Sequence, residues 1–278
     1  MEVSLDVRKS AQENAALYYE QAKKAKKKIY GLKKALTETI KKIEELKRSE
    51  ILYRKKEDEQ VIKIQKEKKW YEKFRYFFSS DNFLIVAGRD ASSNEILIKK
   101  HMEKNDLVFH ADIYGAPFFL IKNPSAEKIP ESTLEETAKL AAAYSKAWQF
   151  GLGNCNVYYF LPEQISKTAP AGQYLAKGAF IISGKKNWFR NVELKISIGV
   201  IIDDEKIEIV AGVTSSIEKK CKYFVTIKPG HRKSKELAEE IKKEILRKSN
   251  ETDGRKIKKI PLEEFQRWIP SGKGEIVN

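Results

Sequence analysis

The first third of the chain carries apolar residues in alternating steps of four and three, with lysine and glutamate at most other positions. Such a stripe has a period near 3.5 residues, which predicts a coiled-coil helix. From residue 11 to residue 48 this helix would be about 57 Å long at 1.5 Å per residue. A stripe this narrow needs a partner helix to be stable in water. Its members are Tyr18, Ala22, Ala25, Ile29, Leu32, Leu36, Thr39, Ile43 and Leu46.

A partner for this helix could come from residues 51–78, where a second apolar stripe strengthens toward Phe74 and Phe77. We predict an antiparallel hairpin that turns near Arg48–Glu50, although neither Gly nor Pro marks that turn. The alternative is one continuous helix that pairs with another chain. The hairpin would form a coiled-coil arm over residues 1–78 with an exposed, positive tip. The tip would carry Lys47, Arg48, Arg54, Lys55 and Lys56.

Two helices are predicted in the rest of the chain. Thr133–Trp148 has small residues along one face, and Ser132 and Glu135 have the spacing of a capping box at its start. The second helix spans Ser234–Leu246, and the polar stretch 248–255 after it resembles a linker.

Short apolar runs between turn residues predict strands on either side of these helices. The predicted class is therefore α+β: a long antiparallel coiled-coil hairpin followed by a mixed sheet domain with packed helices, the latter over residues 79–278. The predicted strands are 83–87, 107–109, 118–121, 157–161, 179–182, 192–202, 207–213 and 223–228.

The charge balance changes what this fold is expected to bind. The chain has 54 Lys and Arg against 39 Asp and Glu, a net charge of +15. Such a balance is typical of proteins that bind polyanions, whereas a lysine-rich composition that only aids solubility is the alternative. The N-terminus lacks the features of a signal peptide, and no apolar run approaches the roughly 18 residues of a membrane span. We therefore expect a cytoplasmic protein without a membrane partner.

Metal and disulfide chemistry are not expected from the cysteines and histidines. Two cysteines are too few for a disulfide framework, and the three histidines have no ligand spacing to one another or to a cysteine. No metal site and no cofactor are therefore predicted.

Residues 178–190 combine glycines, lysines and aromatic residues. They do not form a Walker A motif, because five residues separate Gly178 from Gly184 and Lys186 stands where Ser or Thr would bind magnesium. Cations interleaved with aromatic residues suit a nucleic-acid backbone with an unstacked base beside it. The alternative is a strand end with lysines in solvent and Trp188 in the core. The candidate contacts here are Lys185, Lys186 and Arg190.

The loop 164–178 is punctuated by Gly and Pro, and Lys167 and Thr168 could offer donors to a phosphate there. The alternative is a loop that only turns the chain. Both residues are candidate RNA contacts.

His110 ends a predicted strand and is followed closely by Asp112, so the two could form an acid–base pair. A histidine that is simply hydrogen-bonded at a strand end is the more common case, and an RNA contact is a third possibility. Arg89 and Asp90 could form an ion pair that stabilises a turn. Arg89, His110 and Lys122 complete the candidate RNA-binding set.

Five ordered blocks of the sequence resemble the NFACT family. They are residues 69–90, 106–115, 144–148, 166–175 and 184–189, and the preceding residues 5–19 with the heptads look like that family's coiled-coil middle region. The resemblance covers nearly the whole chain, and the five blocks together are specific.

This resemblance implies a role in ribosome quality control. Family members bind large ribosomal subunits that carry a stalled peptidyl-tRNA, and some recruit tRNA to extend the stalled chain without a template. Extension is tied to an N-terminal domain and a helix-hairpin-helix region that this sequence lacks. We therefore expect a chain that binds tRNA and large-subunit RNA through the residues above, with the arm tip on the ribosome, and that is not an enzyme. It would be part of a longer protein or the partner of a separately encoded half.

Two other functions stay open from the residues alone. One is an RNA-processing enzyme built around His110, Asp112 and Lys167. The other is a protein scaffold that uses the coiled coil, with the positive charge incidental.

Overall fold

The computed structural model describes residues 4–61, 69–168, 177–203 and 207–277, with the backbone only over residues 48–61. The chain divides into two compact units, Met1–Lys68 and Lys69–Asn278, which are described in turn.

The first unit contains one long helix, α1 (Ala11–Val61), of 51 residues. Ser10 and Glu13 form the capping box that starts it: the Ser10 Oγ accepts from the Glu13 N–H at 3.2 Å, and a Glu13 carboxylate oxygen accepts from the Ser10 N–H at 2.7 Å. The heptad residues are exposed, with Leu32 62% and Leu36 61% accessible. The predicted long helix is confirmed, and its apolar stripe faces solvent.

The predicted turn near Arg48–Glu50 is wrong, because α1 continues through it to Val61. No glycine or proline interrupts the run of lysine, leucine and glutamate there, and such residues extend a helix at little cost. The five predicted tip residues therefore lie along a helix. Lys47 is exposed on it, and the side chains of Arg48, Arg54, Lys55 and Lys56 lie outside the described residues.

The predicted helical return over residues 70–78 is also not found. Trp70–Lys73 is a single 3-10 turn, and Arg75–Phe78 is a strand of the second unit. Phe74 and Phe77 belong to two different apolar cores, so they do not share the single stripe that their spacing suggested.

The second unit is built on antiparallel strands, numbered in chain order. The six-stranded sheet has the order β1-β2-β4-β3-β5-β8, the four-stranded sheet β10-β9-β11-β12, and β6 pairs with β7. Together with its helices this arrangement confirms the α+β class. The strands are β1 (Arg75–Phe78), β2 (Leu84–Ala87), β3 (Leu107–Ala111), β4 (Phe118–Ile121), β5 (Asn154–Phe160), β6 (Ile165–Ser166), β7 (Ile181–Ile182), β8 (Asn187–Glu193), β9 (Ile196–Ile202), β10 (Ile207–Gly212), β11 (Tyr223–Lys233) and β12 (Lys273–Ile276).

Helices connect and cover these sheets. A π-helix, Leu97–His101, follows α2 directly, and Pro162–Gln164 is a 3-10 turn. Among the helices of the described residues, none has both the length and the apolar character needed to cross a bilayer. The helices are α2 (Ala91–Ile96), α3 (Glu131–Ala143), α4 (Lys146–Gln149), α5 (Thr214–Lys220), α6 (Ser234–Lys248), α7 (Glu251–Lys258) and α8 (Leu262–Gln266).

Two apolar cores lie on opposite faces of the six-stranded sheet. Alternate residues of each strand point to opposite faces, so Phe109 enters one core and Val108 the other. The larger core contains the alanine face of α3 and extends to the four-stranded sheet. The smaller core contains Tyr71, Phe74, Phe118 and other aromatic residues. The smaller-core face carries the candidate site.

The helix predicted over Thr133–Trp148 is present but interrupted, because α3 ends at Ala143 and α4 restarts after Ser145. The predicted capping box is wrong. Pro130 is the N-cap residue, and the Ser132 hydroxyl instead donates to Asp81 in the turn between β1 and β2 at 2.6 Å.

The other differences concern ends and breaks. The predicted strand 192–202 is divided between β8 and β9, and the linker-like stretch 248–255 contains the start of α7. Asn250 caps α7 by accepting from the Asp253 N–H at 2.8 Å, a signal that the polar composition concealed.

Candidate nucleic-acid interface

Aromatic rings and cationic groups form a continuous row on the smaller-core face of the six-stranded sheet. Its centre is a line of four cross-strand neighbours: Phe118 pairs with His110, His110 with Tyr158, and Tyr158 with Trp188. Ring centroids are 4.7, 5.8 and 4.9 Å apart along this line. Phe180 extends it beyond Phe118, at 5.6 Å.

Three cations lie against these rings. The Lys186 Nζ is 4.3 Å from the Tyr158 centroid, and the Arg190 guanidinium carbon is 4.2 Å from the Trp188 centroid. At the other end, the Lys167 Nζ is 5.0 Å from the Phe180 centroid. Each such contact contributes about 0.5–1 kcal/mol at exposed sites. The cation–aromatic row is defined here as Lys167, Phe180, Phe118, His110, Tyr158, Lys186, Trp188 and Arg190.

The row has a buried part, called the floor, which contains Phe118 and Tyr158, and an exposed end, called the rim, which contains Trp188 and Arg190. Phe118 is 4% and Tyr158 6% accessible, whereas Trp188 is 38% accessible and Arg190 is exposed. β8 is the last strand of its sheet, so the exposed aromatic ring and its cations lie at an edge. A ligand can therefore reach positive charge and an aromatic ring together.

His110 is held as a neutral ring within this floor. Its Nε2 is 3.1 Å from the Ala116 carbonyl oxygen, and its Nδ1 is 3.4 Å from the Tyr158 hydroxyl. Burial lowers the pKa of His110 to about 4, against the opposing effect of the hydrogen bond to Ala116. At neutral pH the ring contributes shape and hydrogen bonding, not charge.

The pKa of His110 predicts a pH-dependent stability. In the unfolded chain the His110 ring takes up a proton near its ordinary pKa of 6.5, whereas in the folded protein it does so only near pH 4. The contribution of neutral His110 to the free energy of unfolding is therefore complete above pH 6.5 and is lost as the pH falls toward 4. At pH 5 the free energy of unfolding is expected to be lower by about 2 kcal/mol. Urea unfolding of wild type and His110→Gln at pH 7.5 and pH 5 measures this. Equal pH dependence in the two proteins would contradict it.

Lys167 is fixed at its end of the row by the loop around it. Its ammonium donates to the Ala179 carbonyl at 3.0 Å and lies 3.8 Å from the Glu95 carboxylate. Glu95 also accepts from the Gly178 N–H at 3.2 Å. Gly178 has φ +78°, and a Cβ there would lie 2.6 Å from the Ala91 carbonyl oxygen, so only glycine fits this close approach.

The predicted phosphate loop is described only in part, since residues 169–176 lie outside the described residues. Thr168 is exposed next to Lys167, and its N–H donates to the Ser166 hydroxyl at 3.0 Å.

A glutamine secures the turn that leads into β8. The Gln164 amide donates to the carbonyls of Ser183 and Lys185, both at 2.8 Å. Gly184 takes φ +80° in this turn. The exposed Lys185 is therefore placed beside Lys186 at the rim.

Two of the predicted contacts have partners that do not point to RNA. Arg89 donates to the Phe74 carbonyl at 2.9 Å, and the neighbouring Asp90 caps α2 by accepting from the Ser93 N–H at 2.8 Å. Lys122 is 9% accessible, and its ammonium lies 2.6 Å from the Asp106 carboxylate. Both stay predictions as RNA contacts, without support from this geometry.

The structure brings together His110, Lys167, Lys186 and Arg190, with Thr168 and Lys185 adjacent. Sequence reasoning missed the aromatic residues between them, because their proximity depends on strand register. Those residues are Phe118, Tyr158 and Phe180. Among the described residues, no three His, Cys, Asp or Glu side chains group in a way that could hold a metal ion.

Comparisons with known proteins agree with the resemblance. Residues 73–184 match the model of the NFACT protein RNA binding domain. The archaeal Rqc2 homolog aRqcH of Methanocaldococcus jannaschii is 44% identical over 215 residues, 77% of this chain and 30% of that protein. The ribosome quality control complex subunit NEMF homolog of Drosophila melanogaster is 39% identical over 214 residues, 74% of this chain and 21% of that protein.

A fission-yeast protein extends this similarity. Ribosome quality control complex subunit 2 of Schizosaccharomyces pombe is 34% identical over 211 residues, 73% of this chain and 20% of that protein. The chain thus spans 20–30% of the length of these three relatives. The domain match contains most of the first sequence block and all of the second, third and fourth, and the three relatives are 34–44% identical over 73–77% of this chain. The chain therefore belongs to the NFACT family, and the match to that family's RNA-binding domain lies at residues 73–184.

Proposed function

We propose that this chain is the RNA-binding part of a ribosome quality-control factor and that the cation–aromatic row is its RNA contact. The observation that carries this proposal is the line of four rings in register across four strands, with cations 4.2–5.0 Å from the rings. Lysine and arginine neutralise phosphates, and an exposed ring offers a stacking surface to an unpaired base.

The partner that best fits this chemistry is RNA with unpaired bases beside a phosphate backbone. Three similar proteins are named for ribosome quality control or after a factor of that complex. We accordingly propose tRNA and large-subunit RNA on ribosomes with a stalled nascent chain as the targets, in the cytoplasm. The lysines of α1, including the exposed Lys47, are proposed as a further ribosome contact.

Binding without cleavage is part of the proposal. The His110 Nε2 is engaged with the Ala116 carbonyl, and the lowered pKa leaves the ring without a proton to donate as an imidazolium at neutral pH. Asp112 is exposed, while the His110 ring nitrogens have Ala116 and Tyr158 as partners. This geometry favours a packing and binding role for His110 over the acid–base role of an RNA-processing enzyme.

Removing the three cations of the row tests the proposal. The triple variant Lys167→Ala, Lys186→Ala, Arg190→Ala is expected to bind labelled tRNA about 100-fold more weakly at 0.1 M salt, since it loses up to three phosphate contacts. The slope of log affinity against log salt is expected to fall by about 2–3. Fluorescence anisotropy over a salt series measures both quantities.

The matched control removes the same charge elsewhere. Lys235, Lys243 and Lys256 are exposed on α6 and α7, and their triple alanine variant is expected to change the affinity far less. If both triple variants lost the same affinity for tRNA, the loss would be explained by net charge alone and not by the row. An unchanged affinity in the row variant would remove the row as the RNA contact.

A further inference from the structure

The edge strand β8 contains one residue more than its partner strand. Val157 pairs with Phe189 and Cys155 pairs with Val192, so Arg190 and Asn191 both lie opposite Asn156. Asn191 has φ +52°, a left-handed conformation that non-glycine residues seldom adopt. This pattern is a β-bulge, which bends a strand and redirects its side chains.

The bulge lets β8 keep Trp188 and Arg190 on the site face and still place Val192 in the larger core. In an uninterrupted strand, residue 192 would share a face with Trp188 and Arg190. Val192 instead lies with Phe189 in the larger core, and it is 9% accessible. The extra residue returns the strand to the core directly after Arg190, while Trp188 and Arg190 stay together on the site face.

Two asparagines hold this geometry. The Asn191 N–H donates to the Asn156 side-chain oxygen at 3.2 Å, and the Asn156 carbonyl accepts from the Asp112 N–H at 2.8 Å. Asn156 thereby connects the bulge to the end of β3. Asparagine is among the few residues that tolerate a left-handed backbone at modest cost, so the residue type fits the position.

We propose that Asn191 is a positioning residue for RNA binding: its left-handed backbone sets the bulge that holds the Arg190 guanidinium over Trp188. The inference rests on the proposed function of the row and adds a residue that need not touch RNA. Its action passes through Arg190, whose guanidinium carbon is 4.2 Å from the Trp188 ring centroid.

Substitutions at residue 191 test the proposal in the full chain with labelled tRNA. Asn191→Val, which disfavours a left-handed backbone, is expected to weaken binding about fivefold to tenfold and to lower the salt slope by about 1, and the same changes are expected for Arg190→Ala. Asn191→Gly accepts the conformation freely and is expected to bind within about twofold of wild type. Asn191→Ala is a milder second variant, should the valine variant fold poorly.

A double variant separates positioning from general damage. If Asn191 acts through Arg190, then Arg190→Ala, Asn191→Val binds no more weakly than Arg190→Ala alone. Additive losses would overturn the proposal. Wild-type affinity in both Asn191→Val and Asn191→Ala would also overturn it.

Asn82 provides the matched control for backbone strain. It has φ 65° in the turn between β1 and β2, and β1 is the opposite edge of the same sheet. Asn82→Val is expected to lower the free energy of unfolding by about as much as Asn191→Val does. It is expected to leave the tRNA affinity unchanged. A loss of affinity equal to that of Asn191→Val would overturn the proposal.

An NMR measurement reads the position of Arg190 without RNA. The Trp188 ring current is expected to shift the Arg190 side-chain protons upfield in wild type and Asn191→Gly, and the shift is expected to vanish in Asn191→Val. A retained shift in the valine variant would overturn the positioning role. An unchanged affinity in Arg190→Ala would instead remove Arg190 from the RNA contact of the proposed function, while the chemical shift would still show whether Asn191 positions Arg190.

Discussion

Replacing Asp106 with alanine is expected to lower the free energy of unfolding of the second unit by about 3–5 kcal/mol. The Asp106 side chain is fully buried, and its carboxylate lies 2.6 Å from the Lys122 ammonium. It also accepts from the N–H groups of Glu103 at 2.8 Å and Asn123 at 3.0 Å. Without it, a nearly buried ammonium loses its closest counter-charge, and one buried and one partly buried N–H group lose their acceptor.

Urea denaturation with matched variants measures this loss. Arg255→Ala breaks the exposed pair with Glu251 and is expected to cost no more than about 0.5 kcal/mol. The double variant Asp106→Ala, Lys122→Met removes both buried charges, so it is expected to be more stable than Asp106→Ala alone. A loss below about 1 kcal/mol for Asp106→Ala would show that Lys122 finds water or another partner.

Gly88→Ala is expected to cost about 2–4 kcal/mol, from overpacking and a damaged buried hydrogen bond. A Cβ at residue 88 would lie 2.0 Å from the Asn94 Oδ1 and 2.9 Å from its backbone nitrogen. The Asn94 Oδ1 cannot simply move away, since it accepts from the Phe118 N–H at 3.2 Å within the sheet. The start of α2 would have to shift, together with the floor of the cation–aromatic row.

The same substitution at Gly153 provides the control. A Cβ there would meet no atom within 4 Å, so Gly153→Ala is expected to change the stability by less than about 1 kcal/mol. Thermal and urea unfolding of both variants give the comparison. A near-neutral Gly88→Ala would mean that α2 moves more freely than its contacts imply.

Elements with a strong local period could be predicted from the sequence. The strands near Leu107, Phe118 and Tyr223 and the helix over Ser234–Lys248 lie where hydrophobic spacing placed them. The prediction for residues 70–78 was wrong because steps of four and three between aromatic residues also fit a 3-10 turn followed by a strand with two buried faces. Phe74 packs in the smaller core and Phe77 in the larger, and a helical stripe would have put both on one side.

The cations of the site could be predicted from neighbouring residues in the sequence, whereas its buried aromatic residues could not. Lys186 and Arg190 stand beside Trp188 in the sequence, so composition alone singled them out. Phe118 and Tyr158 are 40 residues apart, and only the register of β3 with its two neighbours brings them to either side of His110. The ion pair of Lys122 could not be found from the sequence for the same reason, because its counter-charge Asp106 lies 16 residues away.

The irregular end of the six-stranded sheet has a consequence for association between chains. A straight, uncharged outermost strand offers unpaired backbone groups to which a strand of another molecule can add, and that route leads to aggregation. β8 instead carries a bulge at Asn191 and the guanidinium of Arg190, with Lys186 just before it. A kinked and positively charged border is a poor template for an incoming strand, so it limits growth of the sheet into larger assemblies.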